Sequence, residues 1–77
     1  MRSQVTMVSA PNRIWFRNWL RRTGHSPAEY LWIKDEFALL GWRGPVIILD
    51  GGAIDPALSE AIHACVQTGS TLTYVNT

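Results

Sequence analysis

Four consecutive aliphatic residues, Val46-Ile47-Ile48-Leu49, stand between the breakers Gly44-Pro45 and the turn Asp50-Gly51-Gly52. A strand with one wet face alternates apolar and polar residues. A run with no polar member belongs to a strand covered on both faces, the mark of a parallel sheet. Parallel neighbours must be joined by crossovers, usually helices. The rest of the chain therefore has to supply other strands and the helices that cover them.

It does so in order. Gln4-Val5-Thr6-Met7-Val8 alternates and reads as a first strand. After Pro11 and Asn12 a helix is expected from Pro11 to Thr23, with Gly24 as its stop. Ile14, Trp15, Trp19 and Leu20 form its apolar stripe, Phe16 borders it, and Arg13, Arg17 and Arg21 recur every four residues elsewhere. Ser26-Pro27-Ala28-Glu29 has the form of a helix start, whereas Tyr30-Leu31-Trp32-Ile33 has the form of a buried strand. One long helix to Trp42 and a strand flanked by turns both satisfy this stretch. We favour a short turn, a strand near 30–34 and a short helix from Asp35 to Leu40.

Gly41-Trp42-Arg43-Gly44-Pro45 is a loop, and Val46–Asp50 is the central strand. Asp55-Pro56 opens a second helix whose buried stripe is Leu58, Ala61, Ile62, Cys65 and Val66. Gly69 ends it, and Thr71–Val75 alternates as a terminal strand. Strands alternating with helices predict a small Rossmann-like or flavodoxin-like α/β domain. Its four mostly parallel strands should run in the order 2-1-3-4, with two main helices and one short one. Strands one and three would then be central, with the switch point between them.

Length and composition set the outer bounds. Seventy-seven residues make a single domain, 1–77. The chain is 47% apolar and 17% charged, which excludes an intrinsically disordered class, and its net charge of +1 excludes a purely electrostatic polyanion binder. That neutrality conceals an asymmetry: residues 1–44 carry +4 and residues 45–77 carry −3. Such a dipole steers anionic partners or lets two copies meet head to tail. A single cysteine, Cys65, makes no internal disulfide and fits a reducing compartment. No apolar run approaches the roughly 20 residues of a membrane span, and Met1–Pro11 has no signal-peptide core. A cytoplasmic protein without a membrane partner is the expectation.

The Arg-rich aromatic helix entered through Asn12, the pair Pro27–Ile33 and Leu40–Gly44, and the aliphatic strand leading to an Asp-Pro helix start also carry a resemblance. Together they resemble small Rossmann-like proteins encoded by bacteriophages of actinobacteria. Those proteins commonly have an aromatic, more polar turn after the third strand, where this chain has Asp50-Gly51-Gly52-Ala53. The group is largely without assigned function. The resemblance therefore implies fold, phage origin and a host-cell cytoplasm, and no chemistry.

No catalytic set emerges. Val46–Asp50 has the form of a Walker B strand, yet the matching Gly-x-x-x-x-Gly-Lys loop is absent, as is Gly-x-Gly-x-x-Gly. His63 and Cys65, two apart on a helix, face different ways and make no nucleophile–base pair, and His25 has no partners at metal spacing. Neither a metal nor a cofactor is implied.

Three functional readings follow. The first is protein contact, as a homo-oligomer or with a host protein, anchored by Trp32, Trp42 and Arg43. Four tryptophans exceed what so small a core buries, and Trp15 and Trp19 already fill the stripe. The second places a nucleotide or phosphate ligand at the switch point, against Asn12, Arg13, Asp50, Gly51 and Gly52. The third is nucleic-acid binding through Arg13, Arg17, Arg21 and Arg22, with Trp15 or Trp19 stacking on bases.

Overall fold

A computed structural model of the chain describes residues 5–52 and 54–75. Its strands are β1 (Thr6–Ser9), β2 (Tyr30–Trp32), β3 (Val46–Leu49) and β4 (Leu72–Val75). Its helices are α1 (Arg13–Thr23) and α2 (Pro56–Gln67), and 3₁₀ turns occupy Pro27–Glu29 and Glu36–Leu39. All pairings are parallel, in the order β2-β1-β3-β4. The four-stranded parallel sheet expected from the aliphatic run is thus present, with β1 and β3 central. Gln4, which the sequence places in the first strand, lies outside the described residues.

Alternation along the central strands divides the core in two. Val8 and Leu49 pack with Phe16, Trp19 and Leu20 of α1, joined by half-buried Tyr30, Trp32 and Ile47. Met7, Val46 and Ile48 face the other way and pack with Leu39, Ile62 and Cys65, joined by Trp42, Leu58 and Ala61. One face of the sheet is therefore covered by α1, and the opposite face by α2 and the 36–39 turn. That is the doubly wound arrangement.

Two details of the helix stripes need correction. In α1 the buried residues are Phe16, Trp19 and Leu20, while Ile14 and Trp15 are exposed. A helix advances about 100° per residue and offers a flat sheet one arc of about that width. The i, i+3, i+4 set headed by Phe16 fills that arc, so Trp15 falls on a flank and Ile14 points outward. In α2 Val66 is likewise exposed beside the buried Ile62 and Cys65.

The 27–42 stretch takes the form of turn, strand and short 3₁₀ helix. Two side-chain caps start two separate turns there: Ser26 Oγ accepts from the Ala28 N–H at 3.4 Å, and Asp35 Oδ1 accepts from the Phe37 N–H at 3.1 Å. Between them the backbone is extended at Tyr30 (φ −133°), in register with Thr6. No helix among the described residues is long and apolar enough to cross a membrane.

Candidate functional site

The carboxyl ends of β1 and β3 meet where an open α/β sheet usually leaves a crevice. Here the chain folds across it. The Gly52 N–H donates to the Leu49 carbonyl at 2.8 Å, closing a tight turn through Gly51 (φ +81°). That turn lies on the end of β1: a Cβ at Gly52 would collide with the Ser9 carbonyl and stand 2.9 Å from its Oγ, and one at Gly51 would lie 3.1 Å from Pro11 Cγ. Ser9 is wholly buried beneath it, its hydroxyl without a hydrogen-bond partner among the described residues.

The five residues expected to hold a ligand there are consequently spread over different tasks. Asn12 Oδ1 accepts from the Trp15 N–H at 2.8 Å and caps α1. Gly51 and Gly52 form the closing turn, and Asp50 and Arg13 are exposed. Asp55 Oδ1 accepts from the Ala57 N–H at 3.0 Å, taking the place an anion would need at the start of α2. A depression of about 130 Å³ remains nearby, bordered by Ile48, Ser59, His63 and Tyr74, and of the five only Gly52 reaches it.

Arg13, Arg17, Arg21 and Arg22 are all exposed on α1, as a solvated or polyanion-binding row requires. Trp15 is 38% exposed and so is free to stack, but helical geometry puts it on the flank away from Arg13, Arg17 and Arg21. Trp19, the other stacking candidate, is buried and packs edge-on against Tyr30 at 5.4 Å. His25 lies over both rings, 5.1 Å from Trp19 and 4.8 Å from Tyr30, in a packing position.

The tryptophan pair assigned to a partner surface divides in the same way. Trp32 is half-buried against the α1 cluster, its indole N–H directed at the Ala10 carbonyl at 3.4 Å. Trp42 is half-buried in the opposite cluster, its N–H directed at the Pro45 carbonyl at 3.3 Å. The sheet accommodates both because they lie on opposite faces. Trp42 stays beside Arg43; Trp32 does not join them.

What Trp42 and Arg43 do share is a groove of about 230 Å³ between the 36–43 segment and α2. Local sequence builds it. Asp35 starts the 3₁₀ turn, Leu39 enters the core, and Gly41 (φ +71°) reverses the chain so that Trp42 folds back over Gly44. A Cβ on Gly44 would meet the Trp42 ring at 2.6 Å, so this loop is shaped around the indole. Opposite, α2 presents the small side chains Ala61, Ala64, Cys65 and Thr68. Glu36 and Arg43 give the rim one charge of each sign. Phe37 and Leu40, on the same short turn, are 68% and 77% exposed.

Cys65 forms part of the groove wall but offers no nucleophile. It is buried, its Sγ–H points to the Leu39 carbonyl at 3.4 Å, and burial raises the thiol above its ordinary range. The apolar stripe of α2, Val66 apart, was readable in the sequence. The groove was not, because it depends on Ala61 and Ala64 lying opposite a turn distant in sequence. The usable signal was Phe37 and Leu40, two large apolar residues flanking Leu39 in a segment too short to bury all three. No protein family, curated protein or solved structure matches this chain.

Proposed function

We propose that this chain is a non-enzymatic interaction protein, whose contact surface is the apolar groove between the 36–43 segment and α2. The observation that carries this is Leu40, 77% exposed on the rim of a groove walled by Trp42, with Phe37, 68% exposed, three residues before it. Isolated exposed apolar residues are ordinary, but one on the rim of an apolar groove, with a second three residues before it, makes a patch that a partner would cover. Trp42 is held by its own hydrogen bond and offers a rigid wall, while Arg43 and Glu36 supply the polar rim usual at such surfaces. The partner chemistry that fits is a protein segment inserting one or two aliphatic or aromatic side chains. The resemblance to phage-encoded proteins makes a protein of the actinobacterial host the first candidate. The ligand reading ranks below this one, since the Gly51-Gly52 turn lies close against Ser9 at the end of β1.

Burying a leucine side chain contributes roughly 1.5–3 kcal/mol. Leu40→Asp should therefore weaken capture of the partner by about ten- to a hundredfold, with the far-UV circular dichroism unchanged. Affinity capture from host lysate with the wild type, Leu40→Asp and Arg17→Glu reads this out. A partner retained by the wild type and Arg17→Glu but lost by Leu40→Asp supports the groove. Capture that survives Leu40→Asp and fails with Arg17→Glu would instead place the contact on α1.

A further inference from the structure

The strand order leaves β2 and β4 with a neighbour on one side only among the described residues. The two edges are not alike. β2 has three residues, preceded by Pro27 and Glu29 and followed by Lys34, Asp35 and Glu36, the charges and proline that blunt an edge against pairing. β4 has no such protection: from Ala61 to Thr77 the sequence contains no Asp, Glu, Lys, Arg or Pro. Its residues Leu72-Thr73-Tyr74-Val75 all favour strands.

Register shows which backbone groups this edge presents. The Val46 N–H donates to the Thr71 carbonyl at 2.8 Å, and Ile47 lies opposite Thr73. Successive residues of a strand direct their peptide groups to alternate sides, so Thr71, Thr73 and Val75 bond to β3. Leu72 and Tyr74 turn their N–H and C=O groups away from the sheet.

We propose that this chain forms a two-fold dimer in which β4 pairs antiparallel with β4 of a second copy, centred on Thr73. Leu72 then exchanges both backbone bonds with Tyr74 of the second copy, and Tyr74 with its Leu72, which is the self-complementarity a two-fold contact requires. Thr73 faces its own counterpart in a non-hydrogen-bonded pair, and threonine pairs are favourable there. Tyr74, 71% exposed, comes to lie beside Leu72 of the second copy on one face of the joined sheet.

The helix contributes on that same face. Ser59 and His63 of α2 border the same depression as Tyr74, while Ala61 and Ala64 face the 36–43 groove. Val66, two turns on from Ser59, shares the β4 flank and is 39% exposed. Pairing thus covers Leu72, Tyr74 and Val66 together. Charge selects the direction: Asp50 and Asp55 follow the carboxyl end of β3, and an antiparallel partner carries its own pair to the far end of the sheet.

This surface is separate from the groove, so the two proposals fail separately. Size-exclusion chromatography with light scattering should give twice the chain mass for the wild type and for Leu40→Asp. Thr73→Lys, which sets like charges opposite each other on a solvent-exposed position, should give a folded monomer. Thr73→Cys places two thiols at a Cα separation of about 4.5 Å, within disulfide reach, and mild oxidation should link the copies. Leu31→Cys on the β2 edge should not link; the buried Cys65 stays out of the exchange. A wild type that remains monomeric into the millimolar range overturns the proposal, as does a dimer indifferent to Thr73→Lys or one that links through Leu31→Cys.

Discussion

Gly52 is required by its neighbour rather than by its own backbone angles. Its positive-φ companion Gly51 makes the turn, but Gly52 is the residue that lets the turn lie directly on the Ser9 carbonyl. Replacing an ordinary glycine with alanine gains about 0.4–1 kcal/mol by restricting the unfolded chain. At Gly52 the added methyl meets backbone, which cannot swing aside as a side chain can. Gly52→Ala should therefore lower stability by about 1–3 kcal/mol, the usual cost of overpacking. Urea unfolding midpoints measure this, and a variant as stable as the wild type would mean the turn does not rest on β1. From sequence the two glycines after the central strand suit a ligand cradle or a simple tight turn, and a tight turn is present. That this turn lies on β1 depends on a contact between residues 9 and 52, which no local pattern encodes. The half-burial of Trp32 and Trp42 has a related cause: each finds a backbone carbonyl for the indole N–H, so both can sit at the margins of the sheet.

Each helix or 3₁₀ turn begins at a side-chain cap, at Asn12, Ser26, Asp35 and Asp55. For Asn12 this is a structural duty of its own, whatever ligand contact the residue makes. Asn12→Ala should cost about 1 kcal/mol, the typical loss of an N-cap, while Asn12→Ser or Asn12→Asp should retain most of it. Thermal or urea unfolding of the three variants tests this; equal stability of all three would show the cap to be idle. The caps explain why element order was largely legible: Ser26-Pro27, Asp35 and Asp55-Pro56 are strong local signals, and so is Gly24, found at φ +73° behind α1. Which arc of α1 would be buried was not legible. Ile14-Trp15-Phe16 and Trp19-Leu20 offer two overlapping apolar arcs, and only docking on Val8 and Leu49 selects the one headed by Phe16.

The sheet has a core on each side, yet its central strands serve both. Met7 and Val8 are adjacent in β1 and belong to opposite clusters, as do Ile48 and Leu49 in β3. Neither cluster can loosen without shifting the backbone that holds the other. A chain of 77 residues has a total stability of roughly 4–12 kcal/mol, little enough that damage on one face should be felt by the whole molecule. Trp19→Ala empties the α1 side at a cost of about 3–5 kcal/mol, and Ile62→Ala empties the α2 side at about 2–5 kcal/mol. Either substitution should lower the midpoint of one shared transition, with far-UV circular dichroism and tryptophan fluorescence moving together. The fluorescence arm is informative because Trp32 reports on the α1 cluster and Trp42 on the other. For Ile62→Ala, whose tryptophans are all intact, a fluorescence transition that precedes the dichroism would reveal two separately melting layers. Coincident curves would show that alternation along β1 and β3 couples both cores into one folding unit.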